Sequence, residues 1–309
     1  MKQYSPIFVL FILILFTSVH AQEYRRSQHP NYSPNGKMIV FSATISKGSN
    51  DLSKGISVMS SDGTGVKSVT PNAPGVFDEY PTISRDGKIV AFLRRSDSTK
   101  SDVFVVNVDG SGLKRLTNTA ERELRPEFNH DGTGVMFVRD YSPSFMVPYG
   151  SLVMVNLATK AETQLLGREY QVTHAIPAPR GLFFVAAAKL DAVGKPTDIR
   201  KAGNTITLVS PNGEFSPKSP VQLPADGYVR IDRIQTAIGP DFLIYAEGEG
   251  SFPNRAYLLI TAKGVEKLET RSGEFSLSPD GTKLMSWENG ESVYVKGLRE
   301  QRGIVVGKK

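Results

Sequence analysis

The 309-residue chain is 39% hydrophobic and 22% charged, with a formal net charge of +6 and no cysteine. Without cysteine there is no disulfide framework, thiol nucleophile or cysteine-ligated zinc, so stability has to come from a packed core. The positive surplus is spread thinly, with no run of Lys and Arg interleaved with aromatics, which argues against a nucleic-acid footprint.

The chain opens with Lys2, an apolar run from Ile7 to Phe16 and the triplet Val19-His20-Ala21. That order of charge, apolar stretch and small residues predicts a signal peptide over 1–21, cleaved before Gln22. The run is short for a bilayer span, and no later stretch is a candidate. The mature chain, 22–309, is therefore expected to be exported to the periplasm or the extracellular space, with no integral membrane span.

Tyr32-Ser33-Pro34-Asn35-Gly36, followed by Lys37-Met38-Ile39-Val40-Phe41, returns as Ile83-Ser84-Arg85-Asp86-Gly87 before Lys88-Ile89-Val90-Ala91-Phe92, and again as Leu277-Ser278-Pro279-Asp280-Gly281. Alternating apolar residues on either side of an Asp-Gly or Asn-Gly turn predict a β-hairpin. A second hairpin follows in the first two copies, Ile56 to Thr70 around Asp62-Gly63 and Val103 to Thr117 around Asp109-Gly110. Each copy is thus a unit of four strands, A to D. The marker glycines Gly36, Gly87, Gly132, Gly181, Gly239 and Gly281 give six units. The frame decays at Ala178-Pro179-Arg180-Gly181 and Ala237-Ile238-Gly239.

Repeats of this length with short turns predict an all-β fold, a six-bladed β-propeller of four-stranded antiparallel blades. The expected blades cover 29–71, 79–118, 124–167, 173–224, 231–269 and 273–306. Tyr24 to Ser27 is a candidate to pair alongside the outer edge of the last blade.

The frame Ser-Pro-Asp-Gly, then Lys-Ile-Val-Phe, then Val-x-Asp-Gly-Ser-Gly-x-x-x-Leu-Thr resembles the TolB-like β-propeller repeat, strongly in the first two units and weakly in the fourth and fifth. The resemblance implies an envelope protein that binds other proteins. The family also includes propellers joined to serine peptidases. TolB itself carries an α/β domain before its propeller, whereas here the first blade is expected almost directly after the signal.

In an up-and-down blade the A-B and C-D turns share one face and the B-C and D-A loops the other. The B-C loops are expected to be long, over 43–54, 94–101, 140–149 and 189–203, which places recognition on their face. Seven residues before each marker glycine stand His29, Tyr80, Arg125, His174, Asp232 and Glu274. They are expected at the start of each innermost strand, ringing the channel mouth and backed by Glu79, Arg122 and Arg230. These nine residues form the candidate partner-binding site, for an envelope protein or peptide. Rim aromatics Phe77, Tyr141, Phe145, Tyr149, Tyr170, Tyr228 and Phe252 are further candidates.

No catalytic residue, metal site or cofactor is expected, and the protein is expected to act as a monomer. His29 and His174 belong to opposite blades, too far apart to share a zinc ion. Gly63-Thr64-Gly65 and Gly110-Ser111-Gly112 join strands and precede no helix, so they are not phosphate loops. No Gly-x-Ser-x-Gly elbow occurs. The competing expectation is a lyase acting on acidic oligosaccharides. In it, His29 beside Glu274 or His174 beside Asp232 would abstract a proton, and Arg125 or Arg230 would face a carboxylate.

Overall fold

A computed structural model describes residues 23–47, 50–95, 99–142, 148–190, 204–216, 221–223, 228–238, 241–248, 255–261, 264–268, 275–288, 292–297 and 304–306. The signal peptide and Glu274 lie outside the described residues.

The described strands form successive antiparallel four-strand meanders. The first holds β1 (Glu23–Tyr32), β2 (Met38–Lys47), β3 (Asn50–Ser60) and β4 (Lys67–Ser68). The second holds β5 (Phe77–Ile83), β6 (Ile89–Arg95), β7 (Ser101–Asn107) and β8 (Lys114–Arg115). The third holds β9 (Glu123–Phe128), β10 (Gly134–Asp140), β11 (Gly150–Asn156) and β12 (Glu162–Leu166). The fourth holds β13 (Tyr170–Pro177), β14 (Phe183–Lys189), β15 (Thr205–Val209) and β16 (Val221–Gln222). The fifth holds β17 (Tyr228–Ile238), β18 (Asp241–Gly248), β19 (Arg255–Thr261) and β20 (Gly264–Leu268). The last holds β21 (Phe275–Leu277), β22 (Lys283–Glu288), β23 (Ser292–Gly297) and β24 (Ile304–Val306).

The repeated turn is laced by its first residue. Ser33, Ser84 and Ser278 are buried, and each hydroxyl accepts the amide N–H five residues on, at 2.9 Å. Asn129 does the same for Gly134 in the third unit, also at 2.9 Å. The marker glycine closes the turn: Gly87 donates to the Ser84 carbonyl at 2.8 Å with φ 74°, a left-handed conformation that glycine adopts without steric cost. The Val-Thr and Leu-Thr pairs that end the second hairpin have a matching use. Thr70 Oγ1 accepts from the Ile56 amide at 2.8 Å and Thr117 Oγ1 from the Val103 amide at 2.9 Å, pinning the outermost strand to the third.

Apolar side chains fill the spaces between consecutive sheets. Val40, Ile56, Ile83 and Phe92 join the first two units, and Leu93, Val103, Phe128 and Phe137 the next two. Met136, Leu152, Val172 and Val185 follow, then Ile176, Ile206, Ile234 and Ile244, then Leu243, Tyr257 and Leu277. Tyr32, Ile39, Phe41 and Met59 pack on Met285, so the last sheet returns to the first. The Tyr32 amide donates to Ser276 Oγ across that junction at 3.3 Å. Inner strands β1, β5, β9, β13, β17 and β21 therefore face a common axis, as in a β-propeller.

Two details of the expected layout are corrected. Tyr24 to Ser27 does not edge the last unit: Glu23 to Gln28 pairs with Lys47 to Ser42, extending β1 along the whole of β2. The expected loop over 43–54 is largely strand, because β2 and β3 continue pairing as far as Lys47 and Asn50. Among the described residues, no helix is long and apolar enough to cross a membrane.

Candidate functional site at the channel mouth

The five described residues counted back from a marker glycine fall within the inner strands, not at their starts, and in the first three units they coincide with a backbone irregularity. The ladder shifts register between Gln28 and Asn31, between Glu79 and Thr82, and between Leu124 and Glu127. Each gap contains a residue followed by proline: His29-Pro30, Tyr80-Pro81 and Arg125-Pro126. Proline cannot donate to the ladder, so it sits in a bulge. The residue before it is left-handed, with φ 52° at His29, 53° at Tyr80 and 50° at Arg125. A non-glycine residue held there costs on the order of 1–3 kcal/mol, and such outliers cluster at functional sites.

The bulges bring several of the nine candidates together. The His29 and Tyr80 rings stack with centroids 3.9 Å apart. Arg125 Nη2 donates to Asp232 Oδ2 at 2.8 Å, joining the third unit to the fifth. Arg230 Nη2 lies 3.7 Å from Asp232 Oδ1 and makes a close ion pair with Glu247, which also takes Arg255 Nε at 2.8 Å. Tyr80, Arg125, Arg230 and Asp232 line one cavity of about 300 Å³, with Pro148, Arg233, Gln235, Tyr245, Glu247, Arg255 and Tyr257. Glu247 and Arg255 end the strands on either side of the fifth unit's B-C connection, and Pro148 lies in the third unit's, so the cavity opens on the long-loop face.

The other candidates are placed differently. His174 does not ring the channel: it is 1% exposed, its Nδ1 accepts the Ile234 amide at 3.0 Å, and its Nε2 faces Glu127 Oε1 at 3.7 Å. A bulge at Thr173 turns the imidazole into the junction between the third and fifth units. The expected pairing of His174 with Asp232 is thereby corrected, since each has another partner. Glu79 takes Lys54 Nζ at 2.6 Å and Arg95 Nε at 3.4 Å, and Arg122 pairs with Asp140 at 2.5 Å. Neither lines the cavity. Of the rim aromatics, Tyr141 and Tyr149 meet edge to face at 5.3 Å and Tyr170 packs on Phe215 at 4.8 Å. Phe145 and Phe252 lie outside the described residues.

Sequence reasoning missed Arg233, Gln235, Tyr245, Glu247, Arg255 and Tyr257. One signal was available: Glu247 and Arg255 are directly opposite on β18 and β19, a cross-strand pair of opposite charges.

Burial sets the protonation of this region. It drives the His29 imidazole well below its ordinary pKa, helped by the charges of Lys54, Arg233 and Arg125. His174 is lowered by burial too, with Glu127 opposing. Burial would raise Asp232, yet Arg125 and Arg230 hold it below the usual carboxylate value. The mouth thus sets an ionised carboxylate among guanidiniums, beside a neutral His29. Among the described residues, no group of three His, Cys, Asp or Glu side chains is placed to hold a metal ion.

No known family profile matches the sequence, and no curated protein does. Solved structures with the same fold do. An oligogalacturonate lyase from Vibrio parahaemolyticus superposes with a TM-score of 0.55 at 13% identity, covering 93% of this chain and 80% of that one. A putative TolB from Agrobacterium tumefaciens gives 0.51 at 16% identity, covering 90% and 91%. A prolyl endopeptidase gives 0.56 at 11% identity; the match covers 91% of this chain and 49% of the peptidase. At these identities the likeness is one of fold, and it defines the class: the chain is a β-propeller protein.

Proposed function

We propose that this is an exported, TolB-like propeller of six blades that binds an envelope protein or peptide through its long-loop face and channel mouth, without catalysis. In this reading residues 1–21 are the signal peptide, residues 22–309 are the working monomer, and no cofactor takes part. The observation that carries it is the cavity shared by Tyr80, Arg125, Arg230 and Asp232. These side chains come from three blades; Tyr80 and Arg125 stand on strained bulges, and the Arg125–Asp232 ion pair joins two of the blades. Such a rigid, preorganised mouth lowers the ordering cost of recognition, and its aromatic and arginine content suits an interface anchor.

The reading is tested by capture from envelope extract with the mature protein and a Tyr80→Ala, Arg233→Ala variant, both side chains being partly exposed. Partners retained by the first and lost by the second are expected; identical partners from both would overturn the channel-mouth site.

The alternative, a lyase acting on acidic oligosaccharides, draws on the same arginines, which would suit a sugar carboxylate. Of the two bases assigned to it, His174 has both ring nitrogens engaged away from the cavity, which leaves His29. Turnover of acidic oligosaccharides by the purified protein, with or without added divalent metal, would overturn the non-catalytic reading.

A further inference from the structure

The arginine-lined cavity has unmet hydrogen-bonding capacity of both kinds. Arg230 is 2% exposed, and while its Nη2 serves Glu247, its Nε and Nη1 have no acceptor among the described residues. Buried donors in this state carry a desolvation cost that a ligand acceptor would relieve. Arg233 lines the same wall and makes no ion pair among the described residues. Arg125 and Arg255 are already matched by Asp232 and Glu247. Four guanidiniums against two carboxylates leave the described wall with two uncompensated positive charges, in a concave site where low-dielectric walls strengthen the field.

We infer that this cavity binds the C-terminal carboxylate of a peptide chain, with Arg230 and Arg233 as its donors. The inference rests on the partner-binding reading above and names what the partner inserts. One observation favours a chain end over a bare inorganic anion. Gln235 Oε1 is buried against the same cavity with no donor among the described residues. Sulfate offers acceptors only, whereas a chain end brings amide N–H groups beside its carboxylate. The volume of about 300 Å³ is at the small end for a ligand pocket, which suits a chain end rather than a continuous segment. Tyr80, Tyr245 and Tyr257 supply aromatic wall beside it.

Calorimetric titration at low salt, with trialanine as the free acid and as the C-terminal amide, tests this. The acid is expected to bind at least about tenfold more tightly than the amide, the loss of one charge-assisted hydrogen bond. Arg233→Gln and Arg230→Gln are each expected to weaken the acid by about tenfold or more while leaving the amide unchanged. Arg230→Gln leaves Glu247 with Arg255 alone, so Arg233→Gln decides the outcome if the first does not fold. Equal binding of acid and amide, no binding of the acid, or an unaltered Arg233→Gln overturns the assignment. Tighter binding of sulfate or digalacturonate than of the peptide acid does so as well. If envelope partners are still captured in a Tyr80- and Arg233-dependent way while trialanine fails, the mouth remains a binding site and only the chain-end assignment falls. If trialanine binds while capture is indifferent to both residues, the partner reading falls and the cavity chemistry stands.

Discussion

Arg125 and Asp232 are 107 residues apart in the chain and meet at 2.8 Å, with 12% and 15% of their side chains exposed. Each is at its strand's counted position, so the contact links the third and fifth units directly across the mouth. Removing one partner leaves a largely buried charge without its counter-ion, a loss of roughly 3–5 kcal/mol in comparable pairs. Both Arg125→Ala and Asp232→Asn are therefore expected to destabilise: the first leaves Asp232 with Arg230 at 3.7 Å, and the second leaves Arg125 with no carboxylate partner among the described residues. Urea unfolding of both single variants and the double should show the double less destabilised than the sum. Additive effects would mean that the pair contributes nothing as a pair.

His174 predicts an acid-side loss of stability. Its folded pKa lies below 6.5, so in the window beneath 6.5 the unfolded chain binds the proton and the native state does not. Stability then falls as pH drops through that window. His174→Asn puts a carbonyl oxygen near the position of Nδ1, preserving an acceptor for the Ile234 amide while removing the titration. Its unfolding free energy should fall less steeply than the wild type's between about pH 6.5 and 5. His29 titrates in the same direction, so the slope is reduced rather than abolished.

Much of this architecture was legible because the repeated residues have local work to do. Ser33, Ser84 and Ser278 lace turns, their glycines need positive φ, and the X-Pro pairs at His29, Tyr80 and Arg125 need bulges. Counting from the glycine therefore found equivalent backbone positions. It could not find where the side chain goes: a bulge at Thr173 sends His174 into a blade junction, although it occupies the same count. The cavity was harder still. It depends on β17, whose register shifts at three places and whose unit has lost the turn frame, so Arg233 and Gln235 had no repeat to mark them. Contacts between units, such as Arg125 with Asp232, leave no periodic trace in a single sequence.

Glu123 carries the opposite pH dependence to His174. It is fully buried, and burial lifts its pKa from 4.5 to about 7 against the opposing pull of Arg139 and Thr119. Oε1 accepts from Arg139 at 2.9 Å and 3.1 Å, whereas Oε2 has no partner among the described residues. Between pH 4.5 and about 7 the native state holds the proton that the unfolded chain has released, so this group's contribution falls as pH rises. The two trends overlap between pH 4.5 and 6.5 and partly cancel in the wild type. Glu123→Gln should expose the histidine trend alone, giving a steeper rise in stability from about pH 5 to 6.5 than the wild type shows. An unchanged profile would mean that Glu123 titrates normally.

Gly150 and Gly132 separate close approach from backbone strain. Gly150 pairs with Asp140 at the start of β11, and a methyl group there would overlap the Arg139 carbonyl, which is backbone and cannot swing away. Gly132 has φ 74° and nothing within 4 Å of the position a Cβ would take. Gly132→Ala therefore suffers only the left-handed penalty, about 1–2 kcal/mol. Gly150→Ala must displace β10 from β11 beside the Glu123–Arg139 pair, and is expected to lose more than about 3 kcal/mol or fail to fold. Thermal unfolding of the two variants side by side checks the order. If Gly150→Ala melts at or above Gly132→Ala, the close packing of β10 on β11 at this point is wrong.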